Sequence, residues 1–165
     1  MRTEKEKESA AEDRNKRLTV AQNRRARHEY EIIQTFDAGM VLVGTEVKSL
    51  RAGKVNIQDA FCRVEKGEVW VYNMHVSPFD LAYSFNVEPL RKRKLLLHHE
   101  EILEMDTQCK LKGLTLIPLH LYFQRGFAKI QISLAKGKKL YDKRESIAEK
   151  DRKREENRGQ AERYK

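Results

Sequence analysis

Apolar positions recur with a period of two in several stretches between residues 30 and 134. The clearest is 127–134, where Ala128, Ile130, Ile132 and Leu134 alternate with Phe127, Lys129, Gln131 and Ser133, the pattern of a half-buried strand. Residues 114–123 are its partner across Gln124-Arg125-Gly126. Pro118 lies inside that partner, and a residue without an N–H predicts an edge position or a bulge. Residues 61–64 and 69–74 make a second pair, joined by the hairpin signal Glu65-Lys66-Gly67-Glu68. Tyr30, Ile32 and Phe36 open a further strand whose apolar face Gln34 interrupts, and residues 38–44 follow as a short apolar run with flanking glycines.

Two segments have helical spacing instead. Residues 45–52 (TEVKSLRA) open on a Thr cap, place Val47 and Leu50 on one small apolar face, and stop at Gly53. Residues 98–112 continue from Lys94-Leu95-Leu96-Leu97, take Ile102, Leu103 and Met105 as packing residues, and end at Gly113. Several short strands with two helices suit a mainly β fold, a small closed or nearly closed barrel. The oligonucleotide-binding type is one such solution, though the pattern leaves the topology open. Residues 136–165 have no core of their own. Leu140, Tyr141, Ile147 and Ala148 fall near one face if helical, and Ser146 with Glu149 forms a capping-box signal. A helix this short is marginal alone, so the tail is expected to be disordered, becoming helical on a partner. The expected division is a charged extension at 1–17, a barrel domain at 18–137 and a basic tail at 138–165.

Charge sharpens this division. The chain has 165 residues and a net charge of +9, from 34 Lys and Arg against 25 Asp and Glu. Residues 1–29 carry 9 basic and 6 acidic side chains, residues 30–135 carry 13 and 12, and residues 136–165 carry 12 and 7. A nearly neutral centre with basic ends points to a polyanion, nucleic acid before a membrane surface. No run approaches the ~20 apolar residues of a membrane span, and residues 1–17 lack the apolar stretch of a signal peptide. Cys62 and Cys109 stand far from any CxxC pattern, which fits a reducing, cytoplasmic setting.

Catalytic patterns are missing. His98-His99-Glu100-Glu101 lacks the HExxH spacing that puts two imidazoles on one helix face, and His120 falls in a strand. There is no phosphate-cradling GxxxxGK[ST] loop and no GxSxG elbow. The reading is therefore a binding protein without enzyme activity, cofactor or metal. Three basic clusters carry more information. Asn23, Arg24, Arg25, Arg27 and His28 combine guanidinium forks with an amide and an imidazole. Such forks pair with phosphate at two points and stack on bases. Lys48, Arg51 and Lys54 follow at three-residue spacing. Arg91, Lys92, Arg93 and Lys94 form a run leading into Leu95, Leu96 and Leu97. Three such clusters on a compact β core point to an RNA surface.

At these same residues the chain resembles the SmpB family of SsrA-binding proteins. The matching segments are NRRARHEYEI (23–32), GTEVKSLRAGKVNIQDAF (44–61), RKRKLLLH (91–98) and AKGKKLYDKR (135–144), in the family's order and spacing. The resemblance implies a barrel related to the oligonucleotide-binding fold and a role in trans-translation, the rescue of stalled ribosomes. It implies binding to the tRNA-like domain of transfer-messenger RNA (tmRNA), and action as a monomer with the elongation factor Tu complex of alanyl-tmRNA. The tail would enter the empty mRNA channel of the small subunit near the decoding centre. The family's RNA-binding asparagine matches Asn23, its acidic residue matches Asp37 and its functional leucine matches Leu96. The tail motif matches Gly137, Lys138, Lys139, Asp142, Lys143 and Arg144, with Tyr141 where relatives carry a ring. Asn23 is expected at a base edge, and Asp37 as an acceptor for a base amino group or a 2′-hydroxyl. Leu96 reads equally as barrel core or RNA contact. Other readings of the basic barrel are a general single-strand or ribosome-associated RNA-binding protein, and a module that binds an acidic protein.

Overall fold

The structure, a computed structural model, describes residues 17–139, 147, 149 and 151–154. The elements run β1 (Leu18–Gln22), α1 (Ala26–Glu29), β2 (Tyr30–Met40), α2 (Gly44–Arg51), β3 (Val55–Asn56), β4 (Phe61–Glu65), β5 (Glu68–Tyr72) and β6 (His75–Val76). A 3₁₀ turn (Tyr83–Phe85), β7 (Arg93–Leu96), α3 (His99–Lys112), β8 (Thr115–Gln124) and β9 (Phe127–Gly137) follow. Strands β8, β4, β5, β7, β2 and β9 are hydrogen-bonded in that order, and β9 pairs back onto β8, so the sheet closes on itself as a barrel. β1 extends the sheet along the far part of β8, and β3 with β6 forms a small ribbon. All the pairings are antiparallel.

The interior is filled by the inward residues of these strands. Val69 and Val71 of β5, Leu95 of β7, and Ile130, Ile132 and Leu134 of β9 pack together, with Met105 of α3 and Leu50 of α2 added from outside the ring. The hairpin turns have the conformation the right-handed twist favours. Lys66 and Gly67, and again Arg125 and Gly126, both sit at positive φ.

Pro118 makes a bulge. The register of β8 on β9 shifts between Pro118 and His120. Leu116 points into the barrel before it and Leu121 and Phe123 after it, so the extra residue reverses the parity of the strand. The residues displaced outward, Ile117 and Leu119, join Ala26 and Ala135 in a second small cluster under α1, with Tyr30 and Ile32 at its margin. This cluster seats α1 on the barrel.

The fold differs from the sequence expectations at several places. Residues 94–97 do not lead into a helix, because Arg93–Leu96 is strand β7 with Arg93 and Leu95 inward and Leu96 outward. An arginine in a core position disguised the two-residue period. Residues 38–40 are the end of the strand that begins at Tyr30, so two expected elements are one. Leu103 of α3 is exposed, and that helix turns Met105 inward instead.

Candidate nucleic-acid interface

Asn23 organises the first basic cluster from beneath. It is only 6% exposed. Its Oδ1 accepts the Ala26 N–H at 3.1 Å. Its Nδ2 faces the carbonyls of Pro118 at 3.2 Å, and of Ile57 and Gln58 at 3.4 Å. Its own N–H donates to Leu119 O at 2.8 Å. The amide is therefore engaged inside the protein, whereas the sequence reading expects it at a base edge. It fixes the turn so that Arg24, Arg25 and Arg27 stand exposed above a buried Ala26, with His28 half-buried beside them.

The same amide ties this turn to the second cluster, since Ile57 and Gln58 follow Lys54 by a few residues. Helix α2 buries Ser49 and Leu50 and leaves Lys48, Arg51 and Lys54 at the surface. The Lys48 Nζ lies 5.2 Å from the Phe79 ring centroid and the Arg51 guanidinium 5.9 Å from that of Phe123. Lys54 pairs with Asp80 at 2.6 Å. Arg25 pairs with Glu29 at 3.1 Å and lies 3.9 Å from Asp59. Exposed pairs of this kind are worth about 0–1 kcal/mol, so a phosphate can take the cation at little cost. Between α1 and β4 lies an open groove of about 410 Å³, lined by Arg25, Tyr30, Asp59, Phe61 and Arg63 among others.

The start of the tail is bonded to the same helix. Gly137 is opposite Tyr30, the Lys138 N–H donates to Glu29 O at 2.9 Å, and its Nζ reaches Arg27 O at 3.2 Å. Lys139 is exposed. Tyr141, Asp142, Lys143 and Arg144 lie outside the described residues.

The third cluster divides. Arg93 is wholly buried and cannot meet RNA as expected. Its Nε donates to Glu46 Oε1 at 2.8 Å, and its Nη1 and Nη2 to the carbonyls of Met74 at 2.7 Å, Arg91 at 2.9 Å and Pro89 at 3.0 Å. Arg91 is largely turned to the same carboxylate, at 2.9 Å and 2.5 Å. Glu46 also accepts the Val43 N–H at 3.0 Å and so caps α2. Burial works to raise its pKa, but the bonds from Arg91, Val43 and Arg93 outweigh that and hold it below the usual value of 4.5. Sequence reasoning missed Glu46. The expected Thr45 cap is not the one used, since the helix starts at Gly44 with Val43 as its N-cap residue and Glu46 as the capping side chain, and the arginine partners of Glu46 lie more than forty residues away. Lys94 faces outward and pairs with Glu68. Leu96 is 52% exposed and lies over Gly39, which settles it as surface and not core.

Asp37 sits on the outer side of β2. It pairs with Arg17 at 3.0 Å and accepts from Gln131 Nε2 at 3.3 Å. Arg17 also lies 4.9 Å over the ring of Tyr122, whose hydroxyl burial pushes up to about 12. On the same side, burial and the nearby Arg27 lower the pKa of His120.

A closed barrel with two cationic segments locked side by side by one buried amide is the form of a small nucleic-acid-binding protein. The family described as SmpB protein matches residues 20–162, and the chain belongs to that family. The SsrA-binding protein of Pelotomaculum thermopropionicum is 59% identical over 136 residues, covering 82% of this chain and 89% of that protein. That of Desulforudis audaxviator is 58% identical over 137 residues, covering 83% and 90%. A chain of the solved structure described as "tmRNA-SmpB: a journey to the center of the bacterial ribosome" superposes with a TM-score of 0.62 at 51% identity. It covers 73% of this chain and 85% of that one.

Proposed function

We propose that this chain binds the tRNA-like domain of tmRNA and serves trans-translation on stalled ribosomes in the bacterial cytoplasm, without catalysing a reaction itself. One observation carries the assignment of parts. The exposed arginines at 24–27 and the first residue of the tail are held at the same short helix, through Asn23 below and Lys138 above. Arg24, Arg25 and Arg27, with Lys48, Arg51 and Lys54, neutralise phosphates of the folded RNA. Asp37 and Leu96 add contacts to the RNA from the outer faces of β2 and β7, and Asn23 acts from beneath the arginines. Residues 18–137 work as the RNA-binding barrel and residues 138–165 as a separate arm. The arm leaves from the RNA face and enters the empty mRNA channel near the decoding centre, where Tyr141, Lys143 and Arg144 meet ribosomal RNA. The protein acts as a monomer in the complex of elongation factor Tu with alanyl-tmRNA.

The test is a chain ending after Lys139, which keeps the Lys138 contacts and the whole barrel. It is expected to bind the tRNA-like domain within about threefold of the full chain, a difference under ~1 kcal/mol. It is expected to fail in adding alanine to the peptide of a stalled ribosome. Loss of RNA binding with the barrel folded, or tagging at full rate, would each overturn this division.

A further inference from the structure

The outer face of β4, β5 and β7 carries a patch of rings interleaved with cations. On antiparallel strands, Phe61 is opposite Tyr72, and Arg63 is opposite Trp70, which is opposite Lys94 in turn. The Phe61 and Tyr72 rings stack at 5.4 Å with 10° between their planes. Arg63 lies 5.4 Å over Phe61, while the Lys92 Nζ lies 4.7 Å from the Trp70 centroid and 5.7 Å from that of Tyr72. The five side chains thus form one patch, with Phe61 and Arg63 on β4 facing Tyr72 and Trp70 on β5 and Lys92 beside both β5 rings. The patch borders the groove beside Arg25, which Phe61 and Arg63 help to line. None of these five side chains is needed by the basic turn or by α2.

We propose that this face is a second RNA surface, one that takes an unpaired strand where the first takes a folded RNA. It rests on the proposed RNA-binding role and adds a distinct site to it. Rings set among cations on a barrel face suit a single strand, because every base has a flat face to stack and every nucleotide a phosphate to neutralise. A duplex hides its bases and would use only the cations. Two carboxylates stand at the hairpin end of the patch. Glu65 holds Lys92 at 3.1 Å and also takes the Tyr72 hydroxyl, and Glu68 holds Lys94. These exposed pairs are exchangeable. As a strand enters, the Lys92 ammonium moves from Glu65 to a phosphate, and the indole face it covered is freed for a base. Continuity with the Arg25 groove gives the strand a path from the folded RNA onto this face.

Trp70 is the only tryptophan of the chain, so its emission reports on this face alone. The experiment titrates the full-length protein with a short single-stranded oligoadenylate and, separately, with the tRNA-like domain, a folded hairpin duplex serving as control. The oligoadenylate is expected to quench Trp70, and the duplex to leave it unchanged. Lys92→Gln and, as a second variant, Tyr72→Leu are each expected to weaken the oligoadenylate about tenfold, the effect of removing one phosphate partner or one stacking ring. Both should hold the tRNA-like domain within about twofold, on the same conversion, and keep the parent circular dichroism. Three results would overturn the proposal: no quenching at saturating oligoadenylate, equal quenching by the duplex, or equal weakening toward both RNAs in the folded variants. Failure of the tRNA-like domain to bind the parent protein would strike the first surface and leave the oligoadenylate result to stand by itself.

Discussion

Two arginine-bearing clusters of the chain have opposite fates. At 23–28 the arginines stand in solvent over a buried amide and alanine. At 91–94 one arginine disappears into the core and another turns toward it. The difference comes from what lies beneath. In the first, Asn23 and Ala26 satisfy the inside and leave the guanidiniums unengaged by any buried acid. In the second, strand alternation drives Arg93 inward, where Glu46 waits with a negative charge and three carbonyls take further N–H groups. A buried charge survives only when it is paired and hydrogen-bonded, and both conditions hold here. The same residue type is thus a ligand contact in one place and a structural bolt in the other.

The comparison predicts an ordered series of stability effects. Arg93→Ala leaves Glu46 buried with part of its compensation gone. It should lower the free energy of unfolding by about 3–5 kcal/mol, read from urea denaturation. A midpoint within error of the parent would show that Arg93 is no bolt.

The same pair should shape the acid limb. The Glu46 pKa is depressed in the folded protein, so its contribution is present above the ordinary 4.5 and is lost as pH falls below that and through the folded value. Glu46→Gln should therefore be less stable than the parent near neutrality, and the gap should narrow below that point. A gap constant with pH would contradict the ion-pair account.

Asn23→Ala comes next. It removes the partner of the Ala26 N–H and of buried carbonyls, and should cost about 1–3 kcal/mol. RNA binding should weaken as well, because the arginines lose their seat. A variant that loses RNA affinity with unchanged stability would return Asn23 to the direct contact expected from the sequence.

The smallest stability effect belongs to the exposed arginines. Replacing Arg25 and Arg27 by Ala should change stability by no more than about 0.5 kcal/mol. The slope of log affinity against log salt should flatten by roughly 0.7–0.9 for each phosphate that the variant leaves without its cation. An unchanged slope in the folded double variant would remove them from the interface.

Local pattern was enough where one residue's neighbours in sequence are also its neighbours in space. The hairpins at Lys66-Gly67 and Arg125-Gly126, the alternation of Ile130, Ile132 and Leu134, and the bulge at Pro118 all belong to this class. Strand β7 was not legible, since its period was written partly in arginine. Neither was α1, a single turn too short to show a helical face and held in place by Asn23 and the cluster under it.

What the sequence determined by itself is the β character of the middle, the two long hairpins, the basic ends and, through four ordered motifs, the kinship with SsrA-binding proteins. These rest on short-range sterics and on residue types, which need no knowledge of distant contacts. Only the tertiary structure decided which charges face water. Closure of β9 on β8 sets the inside and outside of every strand. The strand pairings and the packing of α2 on the barrel bring Glu46 to Arg93, place three carbonyls around Asn23, and lay Lys92 across Trp70. Those meetings join residues tens of positions apart, and desolvation makes a charge's role depend on who shares its site.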